Sequence, residues 1–400
     1  MNLVPLSLDS IHFGHPLPFV LRNADGSLLA QKGFVIRNRE ELKGLLSRGV
    51  SLYVDTDESG ESHRAYLAEL QRMLMSEKPL GQISSIKISA GTQTERERDD
   101  KAPADWPALQ NRATQLLRSP QPADFGSRFQ ALHDELARMS TQTPDATVLA
   151  LIFLSAQETR MYSATHAMLV SCVCMVTARE VLRWPEARVQ QLGRAALSMN
   201  VAMTELQDQL AQQMQPLSAT QIAAVESHAA RSETLLRHLG VADPVWLEAV
   251  RCHHHRMPGK LDQKTPAQQI ARLIQRADVF AARLAPRAAR WPMPVTAAMQ
   301  ASYYDEEQQV DEAGAALVKA LGIYPPGAFV RLASQEVAIV LRRGTTAATP
   351  RVAVVTNRAG MPTGEMIPRD TAQPAWKITG PVAHKDVRIQ LQVARLVAMV

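Results

Sequence analysis

The chain has 400 residues, of which 46% are hydrophobic, and it carries 44 Lys and Arg against 39 Asp and Glu. This length predicts two or three domains. The small basic excess is scattered, without a Lys/Arg block or interleaved aromatic residues, which argues against nucleic-acid binding. Because the sequence shows no signal-peptide pattern and no run of about 18 apolar residues, we expect a cytoplasmic protein without a membrane span.

Residues 1–60 predict a small β-rich module with one helix at 40–48. Strands are predicted from apolar or alternating runs at 19–22, 28–30, 34–36 and 50–54. The sequence Asn-Ala-Asp-Gly at 23–26 predicts a hairpin turn, because its glycine accepts a positive φ. The module contains no set of side chains that indicates catalysis.

Residues 61–123 predict one helix followed by a disordered linker. Apolar residues have helical spacing at 61–75. Residues 76–107 are rich in polar and charged residues and poor in large apolar ones. Such a segment buries too little apolar surface to offset its chain entropy, so we expect it to be mobile.

Residues 124–321 have the apolar periodicity of a helical bundle. Helices are predicted at 125–139, 145–157, 163–181, 189–203, 218–239, 244–255, 268–284 and 310–321. Ser218 and Gln221 have the spacing of a capping box, and Gly240 is placed to end the same helix. Cys172 and Cys174 are expected to be buried structural thiols.

Residues 322–400 return to the pattern of strands. They are predicted at 329–332, 337–341, 352–356 and 387–392.

Five polar side chains lie on separate apolar stretches of the helical region. They are His166, His228, His253, His254 and Asp278. A bundle that gathers ligands inward from several helices has this arrangement, and imidazole with carboxylate suits Fe, Mn, Zn or Ni. Two such ions close together activate water against a phosphodiester. The alternative is that each histidine only packs in the core and that Asp278 pairs with Arg276 or Arg283.

Several segments of the chain occur together, in this order, in one family. They are Tyr-Ser-Ala-Thr-His at 162–166, AALSMNVAM at 195–203, PLSATQIAAVESHAARSETLL at 216–236, His-His-His-Arg at 253–256, ADVFAAR at 277–283, Pro-Arg-Ala-Ala-Arg at 286–290 and GIYPPGAFVRL at 322–332. The region resembles the HD-GYP family, a branch of the HD superfamily of metal-dependent phosphohydrolases. Active members hydrolyse the bacterial second messenger cyclic di-GMP.

The resemblance sets the predicted fold class as multidomain and mainly α. A central HD-like helical bundle at 124–321 is expected between a small N-terminal β-rich α+β module at 1–60 and a C-terminal β-rich extension at 322–400. The segment 61–123 connects the module to the bundle.

The sequence departs from the family at its defining pair. Where the family has His-Asp, an apolar residue, Gly and Lys, this chain has Met199, Asn200 and then Ala202 and Met203 at the Gly and Lys positions. The resemblance implies that the lost His and Asp ligate metal, that the Asp bridges two ions and that the Lys contacts phosphate. Neither a thioether nor an amide supplies an anionic bridge.

Two further family features are missing. The Gly-Tyr-Pro loop that follows the histidine pair is absent, since His255 is followed by Arg-Met-Pro-Gly-Lys at 256–260. Tyr162 stands where some members have a Glu ligand. We therefore predict no catalytic residue, and either no cofactor or a single divalent metal ion such as Fe, Mn or Zn.

The remaining matches divide into two groups. His166, His228, His253, His254 and Asp278 match family metal ligands. Arg256, Arg287 and Arg290 match basic positions and are predicted to bind ligand by contacting phosphates or stacking on guanine.

Three functions are compatible with this set. The first is a catalytically degenerate HD-GYP-like signalling protein that binds cyclic di-GMP or a signalling protein such as a diguanylate cyclase. The second is a weakly active metal-dependent cyclic di-GMP phosphodiesterase, which would lose activity on His253→Ala or His254→Ala. The third is a regulatory scaffold like the HDOD branch, which also lacks the Gly-Tyr-Pro loop. A homodimer is left open by the sequence.

Overall fold

A computed structural model describes residues 3–5, 20–23, 28–30, 34, 36, 53–55, 104–157, 159–387, 389 and 391–400. The chain divides into two compact units, Met1–Ala102 and Pro103–Val400. The predicted helices at 40–48 and 61–75, and the linker up to residue 103, lie outside the described residues.

The first unit contains a four-stranded antiparallel sheet. Its strands are β1 (Leu3–Pro5), β2 (Leu21–Arg22), β3 (Leu28–Ala30) and β4 (Tyr53–Asp55), in the order β1-β4-β2-β3. The antiparallel pairing of β2 with β3 confirms the predicted pair of strands, while the turn at 24–27 lies outside the described residues. The prediction at 34–36 was wrong for Phe34 and Ile36, which lie outside any strand.

The second unit is mainly helical, as the fold class predicts. The helices are α1 (Trp106–Arg118), α2 (Phe125–Gln142), α3 (Pro144–Ser155), α4 (Tyr162–Glu180), α5 (Glu186–Ser198), α6 (Thr204–Gln212), α7 (Ala219–His238), α8 (Pro244–Cys252), α9 (Pro266–Leu284), α10 (Val295–Tyr303), α11 (Glu312–Leu321) and α12 (Val393–Val397). Among the described residues, no helix is both long enough and apolar enough to cross a membrane.

Helix α4 is the centre of this unit. Seventeen of its nineteen residues are buried, including Cys172 and Cys174, which are free thiols as predicted. A helix that is apolar on every side has to be surrounded by other elements. Helices α1, α2, α3, α5, α6, α9 and α11 pack against α4. His166, one of the predicted ligands, therefore lies on a helix that its neighbours hold in place.

The C-terminal sheet packs on the helices through both of its faces. Its strands are β5 (Phe329–Leu332), β6 (Val337–Arg342), β7 (Arg351–Thr356), β8 (Pro362–Asp370) and β9 (Ile378–Val382), antiparallel in the order β8-β7-β6-β5-β9. Alternate residues such as Val330 and Val340 join the helical core, while Phe329 and Ile339 join a second cluster with Phe153 of α3. In packing terms the helices and these strands form one unit.

The structure corrects several predicted elements. The helix predicted at 189–203 ends at Ser198 and is followed by a short 3-10 turn, Val201–Met203. The described residues of 387–392 form no strand and lead into α12. Helices α1, α6, α10 and α12 and strands β1, β8 and β9 were missed. Exposed faces explain part of this: β8 is mostly exposed or half-buried along its length, so no apolar alternation marks it.

Helix ends follow the sequence more closely. Ser218 and Gln221 form the predicted capping box, with the Gln221 N–H donating to Ser218 Oγ over 3.2 Å and the Ser218 N–H donating to Gln221 Oε1 over 2.9 Å. Gly240 has a φ of 89°, the left-handed conformation expected just beyond a helix end. The bounds of α7 were therefore predictable from local chemistry.

Candidate functional site

Three of the predicted ligand residues meet at one point, the histidine cluster formed by His228, His253 and His254. His228 lies in the middle of α7, and the other two directly follow α8. Nε2 of His228 is 3.2 Å from Nε2 of His253 and 3.2 Å from Nε2 of His254. The ligand atoms of all three lie within 4.8 Å of one another. His255, the third histidine of the run, is not a member of this cluster.

Backbone carbonyls set the ring tautomers of two cluster members. Nδ1 of His253 donates to Val250 O over 2.6 Å, and Nδ1 of His228 donates to Val225 O. Since a carbonyl only accepts, each Nδ1 keeps its proton and each neutral ring has a free lone pair on Nε2. Burial, followed by the neighbouring His254, lowers the pKa of His253 to about 3, and burial lowers the pKa of His228. Both rings are therefore mainly neutral at pH 7.

His166 and Asp278 form a separate pair beside the cluster. Nε2 of His166 on α4 is 2.7 Å from Oδ1 of Asp278 on α9. Burial raises the pKa of the Asp278 carboxyl, but the hydrogen bond and charge of His166 outweigh it and hold that pKa well below its ordinary value. The carboxylate is ionised, and it is near enough to act electrostatically on His228 and His253.

Tyr162 connects this pair to one of the predicted ligand-binding arginines. Its ring stacks on His166 with 5.6 Å between ring centroids. Its hydroxyl accepts a hydrogen bond from Nη2 of Arg287 over 3.1 Å. The Cζ atom of Arg287 is 5.4 Å from the centroid of the Tyr162 ring. The sequence analysis identified Tyr162 only as the position where some family members have a Glu ligand. Its contact with Arg287, 125 positions later in the chain, could be recognised only from the tertiary structure.

The positions predicted to be degenerate have mainly packing roles. Met199 is fully buried in the main core, and Met203 is 8% exposed. Asn200 precedes the 3-10 turn that packs against α7, where the Ala202 N–H donates to Ser232 Oγ over 3.2 Å. Oδ1 of Asn200 is buried and has no hydrogen-bond partner in the described part of the chain.

The family resemblance implies two bridged metal ions, and the residues present do not fit such a pair. Met199 and Asn200 offer no anionic bridge, and His166 and Asp278 are bonded to each other. The histidine cluster is compatible with one ion, because Nε2 of His228 is 3.2 Å from each of the other two Nε2 atoms, close to the roughly 3.3–3.4 Å that separates two imidazole nitrogens on a tetrahedral ion. When bound, such an ion would act as a Lewis acid held by neutral ligands.

The predicted ligand-binding arginines separate into two places. Arg287 and Arg290 lie in a turn after α9 and line an open cleft of about 680 Å³ together with Met214 and Trp291. Arg290 is held by Ala282 O, which accepts from its Nη2 over 2.5 Å. Arg256 does not line this cleft, and its Nη1 is 3.6 Å from Glu307 Oε1 on the surface.

Trp291 is a candidate ligand contact that the sequence analysis missed. Its side chain is 73% exposed, which is unusual for the largest aromatic residue, and it directly follows Arg290. Lys385 Nζ is 5.0 Å from its ring centroid. An exposed indole beside two arginines offers a stacking surface next to phosphate donors. The adjacent Arg-x-x-Arg-Trp pattern was the available signal.

Comparison with known proteins gives one informative relative. A cyclic di-GMP phosphodiesterase of Pseudomonas aeruginosa is 26% identical over 228 residues, which is 56% of this chain and 54% of that protein. The chain thus matches about half the length of this curated relative. An HDGYP protein from Bdellovibrio bacteriovorus aligns over 79% of this chain and 98% of its own, at 14% identity and a TM-score of 0.40. No family model matches the chain.

Proposed function

We propose that this chain is a member of the HD-GYP family and that it is a regulatory protein of cyclic di-GMP signalling that binds its ligand without hydrolysing it. The loss of the bridging pair carries the proposal. Met199 is a buried core residue whose thioether carries no charge, and Asn200 has no charge to join two ions. Water activation between two metals needs that anionic bridge.

The ligand proposed is cyclic di-GMP, because the relative in Pseudomonas aeruginosa is a cyclic di-GMP phosphodiesterase. The cleft lined by Arg287, Arg290 and Trp291 suits this chemistry. Two guanidinium groups can donate bidentate hydrogen bonds to phosphate oxygens, and the exposed indole can stack on a guanine base. None of these contacts requires a metal ion.

The test measures binding and hydrolysis on the same full-length protein. Calorimetry reports cyclic di-GMP binding, while chromatography follows linear dinucleotide and GMP in the presence of Mn²⁺ or Fe²⁺. We expect binding without product. Arg287→Ala should weaken binding about ten-fold to a hundred-fold, since a charged hydrogen bond contributes about 1.5–3 kcal/mol. Arg237→Ala, at an exposed position near the end of α7, is the matched control.

The other outcomes separate the alternatives. Metal-dependent turnover that disappears in His254→Ala would identify a weak phosphodiesterase and overturn the proposal. The absence of both binding and turnover would also overturn the proposal, and it would favour a scaffold like the HDOD branch.

A further inference from the structure

Another cavity, of about 300 Å³, adjoins the cleft of Arg287 and Arg290. The two hollows share Trp291 and Pro286 as wall residues. The other walls of the cavity come from the end of α3, from β5 and from the residues that follow β9. Pockets for small ligands have volumes from about 300 Å³ upward. A ligand that stacks on the Trp291 indole can therefore reach both hollows.

The wall of this cavity is rich in aromatic rings. Phe153 lies near the end of α3, and Phe329 begins β5. The ring of His384 is nearly perpendicular to that of Phe329, with 4.8 Å between the two centroids. Aromatic walls of this kind favour a flat, largely apolar ring, and proteins use them to stack nucleobases.

His384 gives the cavity a hydrogen-bond acceptor. It begins the 3-10 turn His384–Asp386 that follows β9. The backbone carbonyl of Gly327 bonds its ring, and Nε2 is buried without a hydrogen-bond partner in the described part of the chain. The bonded nitrogen is therefore Nδ1, which keeps its proton because a carbonyl only accepts. Burial lowers the pKa of His384 to about 4, so the ring is neutral at pH 7 and Nε2 has a free lone pair.

The carbonyl that orients the His384 ring is itself held in place. Gly327 has a φ of 91°, and a Cβ at this position would lie 3.0 Å from Leu149 O. The Gly327 N–H donates to Val340 O over 2.8 Å. The imidazole is thus oriented before a ligand binds, and a buried acceptor without a partner gains from any ligand N–H that reaches it.

The chemistry around the two hollows suits a purine base joined to a phosphate. Guanine has N–H donors on its Watson–Crick edge, and proteins read such an edge by hydrogen bonds while stacking the base between apolar side chains. Lys385, directly after His384, places its Nζ 5.0 Å from the centroid of the Trp291 ring. The arginine pair in the adjoining cleft suits a phosphate group.

We propose that this cavity holds one guanine base of the cyclic dinucleotide, with Nε2 of His384 accepting an N–H of the base, while Arg287 and Arg290 hold the phosphate beside it. The inference rests on the proposed function, because it names the part of the same ligand site that recognises the base. The C-terminal extension then supplies half of the binding site.

The test compares His384→Phe with His384→Gln in the full-length protein. Phenylalanine fills a similar space without an acceptor, whereas glutamine keeps an acceptor oxygen. Calorimetry should show at least five-fold weaker binding of cyclic di-GMP to His384→Phe, because the N–H of the base is then buried without a partner. His384→Gln should recover most of the affinity.

Two further measurements locate the effect. Cyclic di-GMP should slow hydrogen exchange in peptides covering 378–387 of the wild type. GMP should bind more weakly to His384→Phe than to the wild type, whereas ribose 5-phosphate, which has no base, should bind both proteins alike. This contrast between two ligands separates recognition of the base from a general loss of structure.

The control variant is Asp386→Ala. Asp386 is an exposed residue of the same 3-10 turn and does not line the cavity, so its replacement should leave the affinity for cyclic di-GMP unchanged. An equal loss of affinity in Asp386→Ala and His384→Phe would assign the effect to the turn as a whole and overturn the base site.

The contrary results distinguish this inference from the proposed function. Equal affinity of the wild type and His384→Phe for cyclic di-GMP, with unchanged exchange at 378–387, would overturn the base site and leave the proposed function standing. Equal losses for GMP and ribose 5-phosphate would also overturn the base site alone. No binding of cyclic di-GMP to the wild type would overturn both.

Discussion

Single residues decide which chemistry is left in this chain. Asp278, the carboxylate retained at a predicted ligand position, is hydrogen-bonded to His166, while Met199 has become part of the core. Arg287 is held by Tyr162 on one side and reaches the open cleft on the other. At position 199, where the resemblance predicts a metal ligand, the structure therefore has a packing residue.

Trp291→Ala tests the stacking surface at the residue scale. Base stacking on an aromatic side chain contributes about 1–3 kcal/mol, so cyclic di-GMP should bind about five-fold to 150-fold more weakly. Because the indole is 73% exposed, the midpoint of thermal unfolding should barely change. Calorimetry measures the affinity, and Trp291→Phe should recover most of it. Equal affinity of the wild type and Trp291→Ala would exclude this contact.

Asn200→Asp tests whether the missing charge is what excludes a hard metal. A buried carboxylate at this position should raise the affinity for Mn²⁺ about ten-fold or more, because an anionic oxygen is the ligand that this ion prefers. Without metal, the new charge should lower the melting temperature, since Oδ1 is buried. Titration with Mn²⁺ followed by thermal unfolding measures both effects. Asn200→Ala adds no charge, and a similar gain of Mn²⁺ affinity there would contradict the explanation.

At the scale of elements, ion pairs to two buried arginines of α9, Arg272 and Arg276, fix the loop after α10 onto α9. Arg272 is 3% exposed and bonds Glu306 and Asp311, at 3.1 Å and 2.7 Å respectively. Arg276 also pairs with Glu306 and donates to Tyr304 O over 2.7 Å. This network holds 304–311 close to the segment that follows the histidine cluster, where Arg256 approaches Glu307.

The network predicts an acid-dependent loss of stability. Burial raises the pKa of Glu306, but its bond to Arg272 and the nearby arginine charges outweigh this and hold it at about 2. A carboxyl with a depressed pKa stabilises the fold above its unfolded value of about 4.3, and this contribution is lost as the pH falls towards 2. Urea unfolding should show a larger loss for Glu306→Gln at pH 6.5 than at pH 3.

A matched control for this prediction lies on α7. Glu233 forms an i,i+4 pair with the exposed Arg237, so Glu233→Gln should change the free energy of unfolding by no more than about 0.5 kcal/mol at either pH. The same loss for Glu306→Gln at pH 6.5 and pH 3 would contradict the role assigned to the ion pairs.

On the scale of the whole molecule, helices and C-terminal sheet share their buried surface. Arg343, beyond β6, pairs with Asp145 of α3 and Glu180 of α4 and donates to Ala320 O over 2.8 Å. Apolar residues of β5, β6 and β7 continue the helical core. The domain boundaries predicted at residues 60, 123 and 321 stay predictions. The cytoplasmic location, the homodimer and a protein partner stay predictions as well.

A fragment of residues 103–400 should fold and bind by itself. This range is one compact unit with its own core, and it contains the cleft of Arg287 and the histidine cluster. Its chemical unfolding should be a single cooperative transition, and its affinity for cyclic di-GMP should be within about two-fold of the full chain, as expected for an autonomous domain. Loss of binding in a folded fragment would show that residues 1–102 contribute to the site.

The sequence alone determined the kinds of residue available and most of the helices that carry them. The order of His166, His228, the histidine run and Asp278 gave the family resemblance, and Met199 and Asn200 gave the prediction that the bridging pair is lost, because the identity of a residue at a motif position can be read from the sequence alone. Capping signals at Ser218 and Gly240 placed α7 for the same reason. Elements with exposed faces, such as β8, could not be predicted from the sequence, because their burial depends on partners that are distant in the chain.

Only the tertiary structure decided how those residues are grouped. Three histidines from α7 and α8 converge, whereas His166 and Asp278 pair with each other, and no spacing in the sequence distinguishes these two arrangements. The exposure of Trp291 and the bond between Arg287 and Tyr162 likewise depend on packing between segments far apart in the chain. Distances between side chains on different helices are set by how the helices pack, and sequence spacing along one helix carries no record of that.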